Sequence, residues 1–356
     1  MSFAEIRHRL WHGTVDHLDP PLLMITLAIM GVGLATVFSA TYDSQNRLMS
    51  QFINMAVALT LMWGVAQLPP QKLMRFAVPL YVLGLILLVM VFLFGIKVNG
   101  ARRWLNIGIT RIQPSEIMKL AMPLMLAWYF HKYEAALKFR HYAVAALLLI
   151  VPFGLVAKQP DLGTAILIGA AGFYVLFFAG LQWKVMIGLA AAGAAAAPVL
   201  WTFLHDYQKK RILTLIDPTT DPLGSGGPTG KGWLQGTQTH LEFIPEKHTD
   251  FIFAVFSEEW GLIGNSVLLV LYLLLIGRGM MIAANASTLF GRLLAASITL
   301  SLFTYAFINM GMVSGIMPVV GVPLPFMSFG GTALVTLCTG LGILMSIHTH
   351  RMLVKK

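Results

Sequence analysis

Five carboxylates, one histidine and one lysine fall within eighteen residues between Glu242 and Glu259. The run reads Glu242-Phe-Ile-Pro-Glu246-Lys247-His248-Thr-Asp250, then an apolar stretch, then Ser257-Glu258-Glu259. Transfer of a sugar to a hydroxyl group needs a base for the attacking hydroxyl and a positive counterweight for the leaving group. Asp250, at the very edge of an apolar run, is placed to be such a base where water meets lipid. Lys247 and His248, or a divalent metal ion, could supply the counterweight. Glu258 and Glu259 also suit a plainer part, as acids in the first turn of the span that follows.

Four further clusters carry polar groups where lipid-facing chain would avoid them. Pro114-Ser-Glu116-Ile-Met-Lys119 opens an apolar segment with a proline suited to a helix start. Its carboxylate and ammonium stand three residues apart, on one helical face. Such a pair either neutralises itself inside a bundle or forms the charged floor of a polar cavity. Lys158-Gln-Pro-Asp161-Leu-Gly-Thr164 makes a tight turn in which Asp161 can cap the next helix. Four polar groups on so short a loop also leave a substrate-facing role open. Asn99-Gly-Ala-Arg102-Arg103-Trp104 fits interfacial anchoring through its tryptophan, and equally a bidentate grip on pyrophosphate or carboxylate. Gly224-Ser-Gly-Gly-Pro-Thr-Gly-Lys231 has the glycines of a phosphate loop, but without a Gly-Lys-Ser/Thr ending or a preceding strand a P-loop NTPase is a poor reading. Its glycines suit a loop lying flat against a lipid-linked substrate, to which Lys231 adds a cation.

The elements that must hold these groups are set by composition. Of 356 residues, 57% are hydrophobic and 11% charged, against about 25% charged in ordinary soluble domains. At about 20 apolar residues per span, that content suffices for roughly ten membrane helices. A soluble enzyme, a disordered chain and a disulfide scaffold are all excluded; the single cysteine, Cys338, cannot form an internal disulfide. The formal charge of +10 is scattered in ones and twos with no basic helix, so nucleic acid is not an expected partner. The first twenty residues include Asp16 and Asp19 and no small-residue cleavage site, and read as a short cytoplasmic tail.

Apolar segments lie near 21–40, 50–68, 76–95, 114–131, 141–157, 162–180, 184–204, 256–284, 293–314 and 331–349. Ten spans place both termini on one side. With that side cytoplasmic, 13 lysines and arginines fall inside and 11 outside, with Lys119 within a span. Every short inside loop is basic, as the positive-inside rule asks. The outside excess sits in loops 96–113 and 205–255, where a cationic surface suits an anionic substrate. The expected architecture is an all-α, polytopic single membrane domain over residues 1–356, with one large periplasmic loop at 205–255. Small residues at Gly261, Gly264, Ala295 and Ala296 suggest close helix approach to a partner.

The runs GARRWLNIG, QPSEIMKLA, KQPDLGTA, LIDPTTDPLG, GKGWLQGTQ, FIPEKHTDFIFAV and GMVSGIMPVVGVPLPFMSFGGTAL resemble the SEDS (shape, elongation, division, sporulation) family along essentially the whole chain. The resemblance implies a ten-span bacterial inner-membrane glycosyltransferase, facing the periplasm, that polymerises lipid II, the undecaprenyl-pyrophosphate-linked disaccharide peptide. It implies a class B penicillin-binding protein and other elongation-complex membrane proteins as partners, and a divalent cation, Mg or Mn. The family's essential aspartate falls on Asp250, its membrane Glu/Lys pair on Glu116 and Lys119, and its Gln-Pro-Asp turn on Asp161. Arg102, Arg103, Lys231, Lys247 and His248 are the remaining candidates for substrate binding or electrostatic support. Family members most like this chain carry a further Gly-Tyr-x-x-x-Gln-Ser stretch, about a dozen residues, where Gly224 here runs straight into Ser225. A lipid II flippase and a non-catalytic scaffold are the competing readings; a flippase would need a polar path across the full bilayer.

Overall fold

The computed structural model describes residues 17–41, 45–98, 101–106, 111–188, 227–236 and 248–350, with 191 and 195 as isolated helical positions. Nine helices have defined bounds: α1 Pro20–Ala40, α2 Gln45–Ala66, α3 Pro70–Phe94, α4 Pro114–Lys132, α5 Phe139–Lys158, α6 Leu162–Phe178, α7 Ile252–Ala284, α8 Leu289–Val313 and α9 Gly331–Thr349. They correspond to nine of the ten expected segments. The remaining one, 184–204, lies largely outside the described residues, with helix visible at 183–188. Among the described residues, seven helices are long and apolar enough to cross a membrane. The others differ for plain reasons: α4 contains Glu116, Lys119 and Lys132, and α6 has 17 residues.

Several helices begin earlier than their apolar runs, because a side-chain cap or an N-terminal proline starts them ahead of the first apolar residue. Asp19 accepts the Leu22 N–H at 2.9 Å ahead of Pro20 and Pro21. Thr288 takes the Gly291 N–H at 3.1 Å, and α3 starts at Pro70 with Gln71 and Lys72 still outside the apolar stretch.

The helices are apolar around most of their circumference, so position in the bundle decides what each one buries. α8 is the central post, 72% buried over its span, and packs against α4, α6, α7 and α9. α2, α3 and α5, each under a third buried, form part of the outer ring. Ala295 and Ala296 are consumed inside this packing, which removes them from any external docking face.

Between α3 and α4 the expected loop is a small antiparallel sheet, β1 Ile96–Val98, β2 Ala101–Asn106 and β3 Arg111–Ile112, in the order β1-β2-β3. This corrects the all-α expectation locally while leaving the fold helical. Lys97 pairs with Arg102 and Asn106 with Arg111.

At the opposite end of the bundle, Arg278 of α7 donates to Asp19 at 2.5 and 3.1 Å, and His348 of α9 lies 3.3 Å from the same carboxylate. The start of α1 and the end of α9 therefore share one face, as an even number of crossings requires.

Candidate active site

α7 is broken at Gly261, whose φ of 61° and ψ of −156° lie outside helical space. The segment 227–232 fills the break: Lys231 and Gly232 N–H groups donate to the Glu258 and Glu259 carbonyls at 2.9 and 3.0 Å. In return the Leu262 and Ile263 N–H groups donate to Gly227 and Pro228 at 3.0 and 3.2 Å. A helix interrupted at membrane depth must find substitute partners for its freed backbone groups, and this loop provides them. Lys231 Nζ pairs with Glu258 Oε1 at 2.7 Å, and Ser39 Oγ donates to Glu259 Oε1. Glu258 and Glu259 are buried as the seventh and eighth residues of the helix. They are therefore not first-turn acids, and Gly261 is a break and not a docking surface.

Past α8, residues 314–330 are irregular, exposed at 314–316 and buried at Val322 and from Leu324 to Ser328. Density in glycine and proline denies this stretch a helix, so its carbonyls need outside donors. Asn309 of α8 donates to Val322 at 2.7 Å, Tyr272 of α7 to Pro325 at 2.6 Å, and Gln51 of α2 to Ser328 at 3.3 Å. The loop in turn clamps the turn before α7: Ser328 Oγ donates to the Thr249 carbonyl at 2.7 Å and Phe329 N–H to the His248 carbonyl at 2.8 Å.

The turn and the loop form one wall of a cavity of about 400 Å³. Arg103, Gln113, Glu116, Lys119 and Asp161 line the same cavity as Asp250. Five of the nine candidate residues thus converge from four separated stretches of chain. Asp161 caps α6 through the Thr164 N–H at 3.2 Å, and also accepts Gln113 Nε2 at 3.3 Å with Arg103 Nε at 3.8 Å. Capping and cavity lining are one arrangement here. Lys119 donates to Glu116 Oε1 at 2.6 Å and to the Tyr305 hydroxyl at 2.5 Å. Glu116 Oε2 is buried without a hydrogen-bond partner among the described residues. The N-terminal turns of α4, α6 and α9 all line the cavity, so three helix dipoles point positive charge at whatever occupies it.

The other four candidates lie elsewhere. Strand alternation sends Arg102 to the opposite face of β2 from Arg103, where it is exposed; the adjacent arginines do not form a single clamp. Lys231 is engaged with Glu258 away from the cavity, and His248 sits behind the wall, edge-on to Phe329 at 5.8 Å between ring centres. Lys247 lies outside the described residues. Sequence reasoning missed Gln113, Tyr305, Asn309 and Ser328. A signal was present for Asn309, an amide in an apolar run, and for the glycine- and proline-rich stretch around Ser328.

The described residues contain no group of three or more metal-ligating side chains able to hold an ion by themselves. A hard divalent cation commonly takes one or two carboxylates and completes its shell with substrate phosphate and water. The cavity carboxylates fit that lesser demand.

A family model for FtsW/RodA/SpoVE cell cycle proteins matches residues 20–353. The chain is 49% identical over 355 residues to the peptidoglycan glycosyltransferase MrdB of Escherichia coli K12, covering 96% of each. Because 355 exceeds 96% of a 356-residue chain, that alignment carries about a dozen positions absent from this protein. The chain is 32% identical over 363 residues to the probable peptidoglycan glycosyltransferase FtsW of Geobacter metallireducens, covering 94% of this chain and 96% of the relative. Among solved structures it resembles a chain of a peptidoglycan synthase complex that coordinates polymerization and crosslinking, with TM-score 0.82, 34% identity and coverage of 94% and 98%. It also resembles the Thermus thermophilus rod shape determining protein RodA, with TM-score 0.74, 31% identity and coverage of 94% and 97%.

Proposed function

The chain belongs to the FtsW/RodA/SpoVE family, and on that premise we propose that it is a peptidoglycan glycosyltransferase that polymerises lipid II during cell elongation. The observation that carries the reading is the meeting of Asp250 with Arg103, Glu116, Lys119 and Asp161 in one cavity ringed by helix N-termini. Asp250 takes the proton of the acceptor 4-hydroxyl as its oxygen bonds to the anomeric carbon of the donor. The bond from that carbon to the undecaprenyl pyrophosphate breaks, with inversion, and the pyrophosphate leaves with the electron pair. Arg103 and the helix dipoles offset its charge. A divalent cation, Mg or Mn, would be held by Asp161 and Glu116 and would supply Lewis-acid stabilisation of the leaving group. Lys119, engaged by Glu116 and Tyr305, acts as the fixed floor. The space beyond it holds about 30 Å³, room for a water molecule but not a sugar headgroup. This favours chemistry at one face over passage through the bundle.

In this reading the cavity and the 205–255 loop face the periplasm from the inner membrane, in one membrane domain over 1–356. A class B penicillin-binding protein and other elongation-complex membrane proteins are its partners. Thiol labelling at an introduced His240→Cys tests the orientation against a silent background, because Cys338 is fully buried; labelling only from the cytoplasm would overturn it. The activity is tested by supplying lipid II to the purified protein with its partner. Polymer is expected, and Asp250→Asn should reduce its rate by about 10²–10⁴-fold. A folded Asp250→Asn protein working at the parental rate would remove Asp250 from the mechanism.

A further inference from the structure

Asn309 stands in the apolar run Phe307-Ile-Asn309-Met and is fully buried. An apolar side chain there would avoid the cost of desolvating an amide. Its Nδ2 lies 2.8 Å from the Asp250 carbonyl oxygen and 2.7 Å from that of Val322. Both neighbours are acceptors only, so the amide end facing them is the NH2 group, and each of its two hydrogens has a place. Oδ1, at the other end, is buried with no hydrogen-bond partner among the described residues. An orphan acceptor lowers stability, so stability alone gives a poor account of this side chain. What it achieves is geometric.

The two carbonyls belong to the segments that meet at the base. Gly321, with φ of 72°, approaches so closely that a Cβ there would stand 3.2 Å from Asp250 Oδ2. The neighbouring carbonyls of His248 and Thr249 are also held, but by Phe329 and Ser328. Those belong to the same irregular loop as Gly321 and would shift with it. Asn309 belongs to α8, the central post of the bundle, and refers both segments to that fixed axis. A serine or threonine offers one donor and could hold only one of them.

We propose that Asn309 is a positioning residue for the transfer reaction. It sets the Asp250 carboxylate against the Gly321–Leu324 wall, so that the acceptor hydroxyl meets the base in register. The inference rests on the reading of Asp250 as the base.

The test measures kcat and KM for lipid II polymerisation, with thermal melting alongside, in purified Asn309→Ala, Asn309→Gln and Asp250→Asn proteins and in the Asp250→Asn/Asn309→Ala double variant. Misplacing a reacting group by about 1 Å can cost about 100-fold, so Asn309→Ala is expected to lower kcat by about 10- to 100-fold with KM unchanged. In the Asp250→Asn background the same change should cost nothing further, because the group it positions is gone. Parental kcat in Asn309→Ala, or equal losses in the two backgrounds, overturns the inference while leaving Asp250 in place. Parental activity in Asp250→Asn overturns the underlying reading and the inference together. If Asn309→Ala melts far below the parent, Asn309→Gln decides. It keeps the amide but displaces it by one methylene: a lowered kcat at unchanged KM supports positioning, and a parental kcat overturns it.

Discussion

Lys231 and Glu258 are joined twice, by an ion pair of 2.7 Å between side chains and by a 2.9 Å hydrogen bond from the Lys231 N–H to the Glu258 carbonyl. The double link fastens the large loop to the first turns of α7, which begin two residues after Asp250. The side chains differ in exposure, 37% for Lys231 and 3% for Glu258, so the carboxylate depends on the lysine more than the lysine depends on it.

Lys231→Ala should therefore act through the glutamate it abandons. Losing a hydrogen bond to a charged group costs about 1.5–3 kcal/mol, and Lys231→Arg should recover most of that. Melting of the purified protein in detergent checks both. Lys231→Ala with unchanged melting would mean that the backbone bonds alone secure the loop.

Gly261 should tolerate no side chain. Its φ is left-handed, and a Cβ would stand 2.3 Å from the Gly230 nitrogen and 2.6 Å from the Gly227 carbonyl oxygen. Gly261→Ala therefore adds backbone strain of about 1–3 kcal/mol to a clash that only expulsion of the loop can relieve. Gly277, in the same helix, has nothing within 4 Å of its Cβ position; Gly277→Ala should be neutral or stabilising by up to about 1 kcal/mol. The contrast between the two is read by melting and by protease access to the loop.

Much of this was legible in the sequence because the relevant signals are local. Apolar runs of span length found nine of the helices, Pro114 and the three-residue spacing placed Glu116 and Lys119 on one face, and Asp161 caps as its position after proline suggests. The break at Gly261 was not legible, since Trp260-Gly-Leu-Ile reads as uninterrupted span. Nor was the β1–β3 sheet, whose strands of three, six and two residues show no clean alternation. Lys231 with Glu258, and Asn309 with Asp250, are pairings across 27 and 59 residues. No periodicity encodes such pairings; only the packing of the bundle does.

The cluster at the non-cavity end should make stability acid-sensitive in two steps. Burial pulls the His350 imidazole below its ordinary 6.5, the Ser346 carbonyl opposes this, and His17, stacked on it at 4.7 Å, reinforces it. The unfolded chain then takes up a proton more readily than the folded one, so stability falls as pH drops below 6.5. For Asp19, burial would raise the carboxyl pKa, but the Arg278 hydrogen bond, the Leu22 N–H and the charges of Arg278 and His348 together hold it below 3.8. Its contribution is complete above that value and is lost as pH falls through the folded pKa. Melting followed from pH 8 to 3 should show both steps. His350→Gln should abolish the first, and Asp19→Asn should weaken the protein at neutral pH but progressively less as the pH falls below 3.8.

Glu116 and Lys119 admit a test that separates holding the bundle together from serving the reaction. Removing one partner of a buried ion pair leaves an uncompensated charge and typically costs about 3–5 kcal/mol, whereas replacing both by uncharged groups of similar volume is often neutral. Glu116→Gln should therefore destabilise strongly, since Lys119 would keep neutral partners, the Tyr305 hydroxyl and an amide oxygen, but lose its counter-charge. Lys119→Met should destabilise too, stranding the carboxylate at the cavity floor. The double variant Glu116→Gln/Lys119→Met removes both charges and should melt close to the parent. If the pair only neutralises itself, polymerisation of lipid II returns with stability. If Glu116, whose Oε2 has no hydrogen-bond partner among the described residues, takes part in handling the pyrophosphate or its cation, the double variant stays folded and slow. The second outcome is the one expected from the position of both side chains in the cavity wall. A folded double variant polymerising at the parental rate would return the pair to a purely structural role.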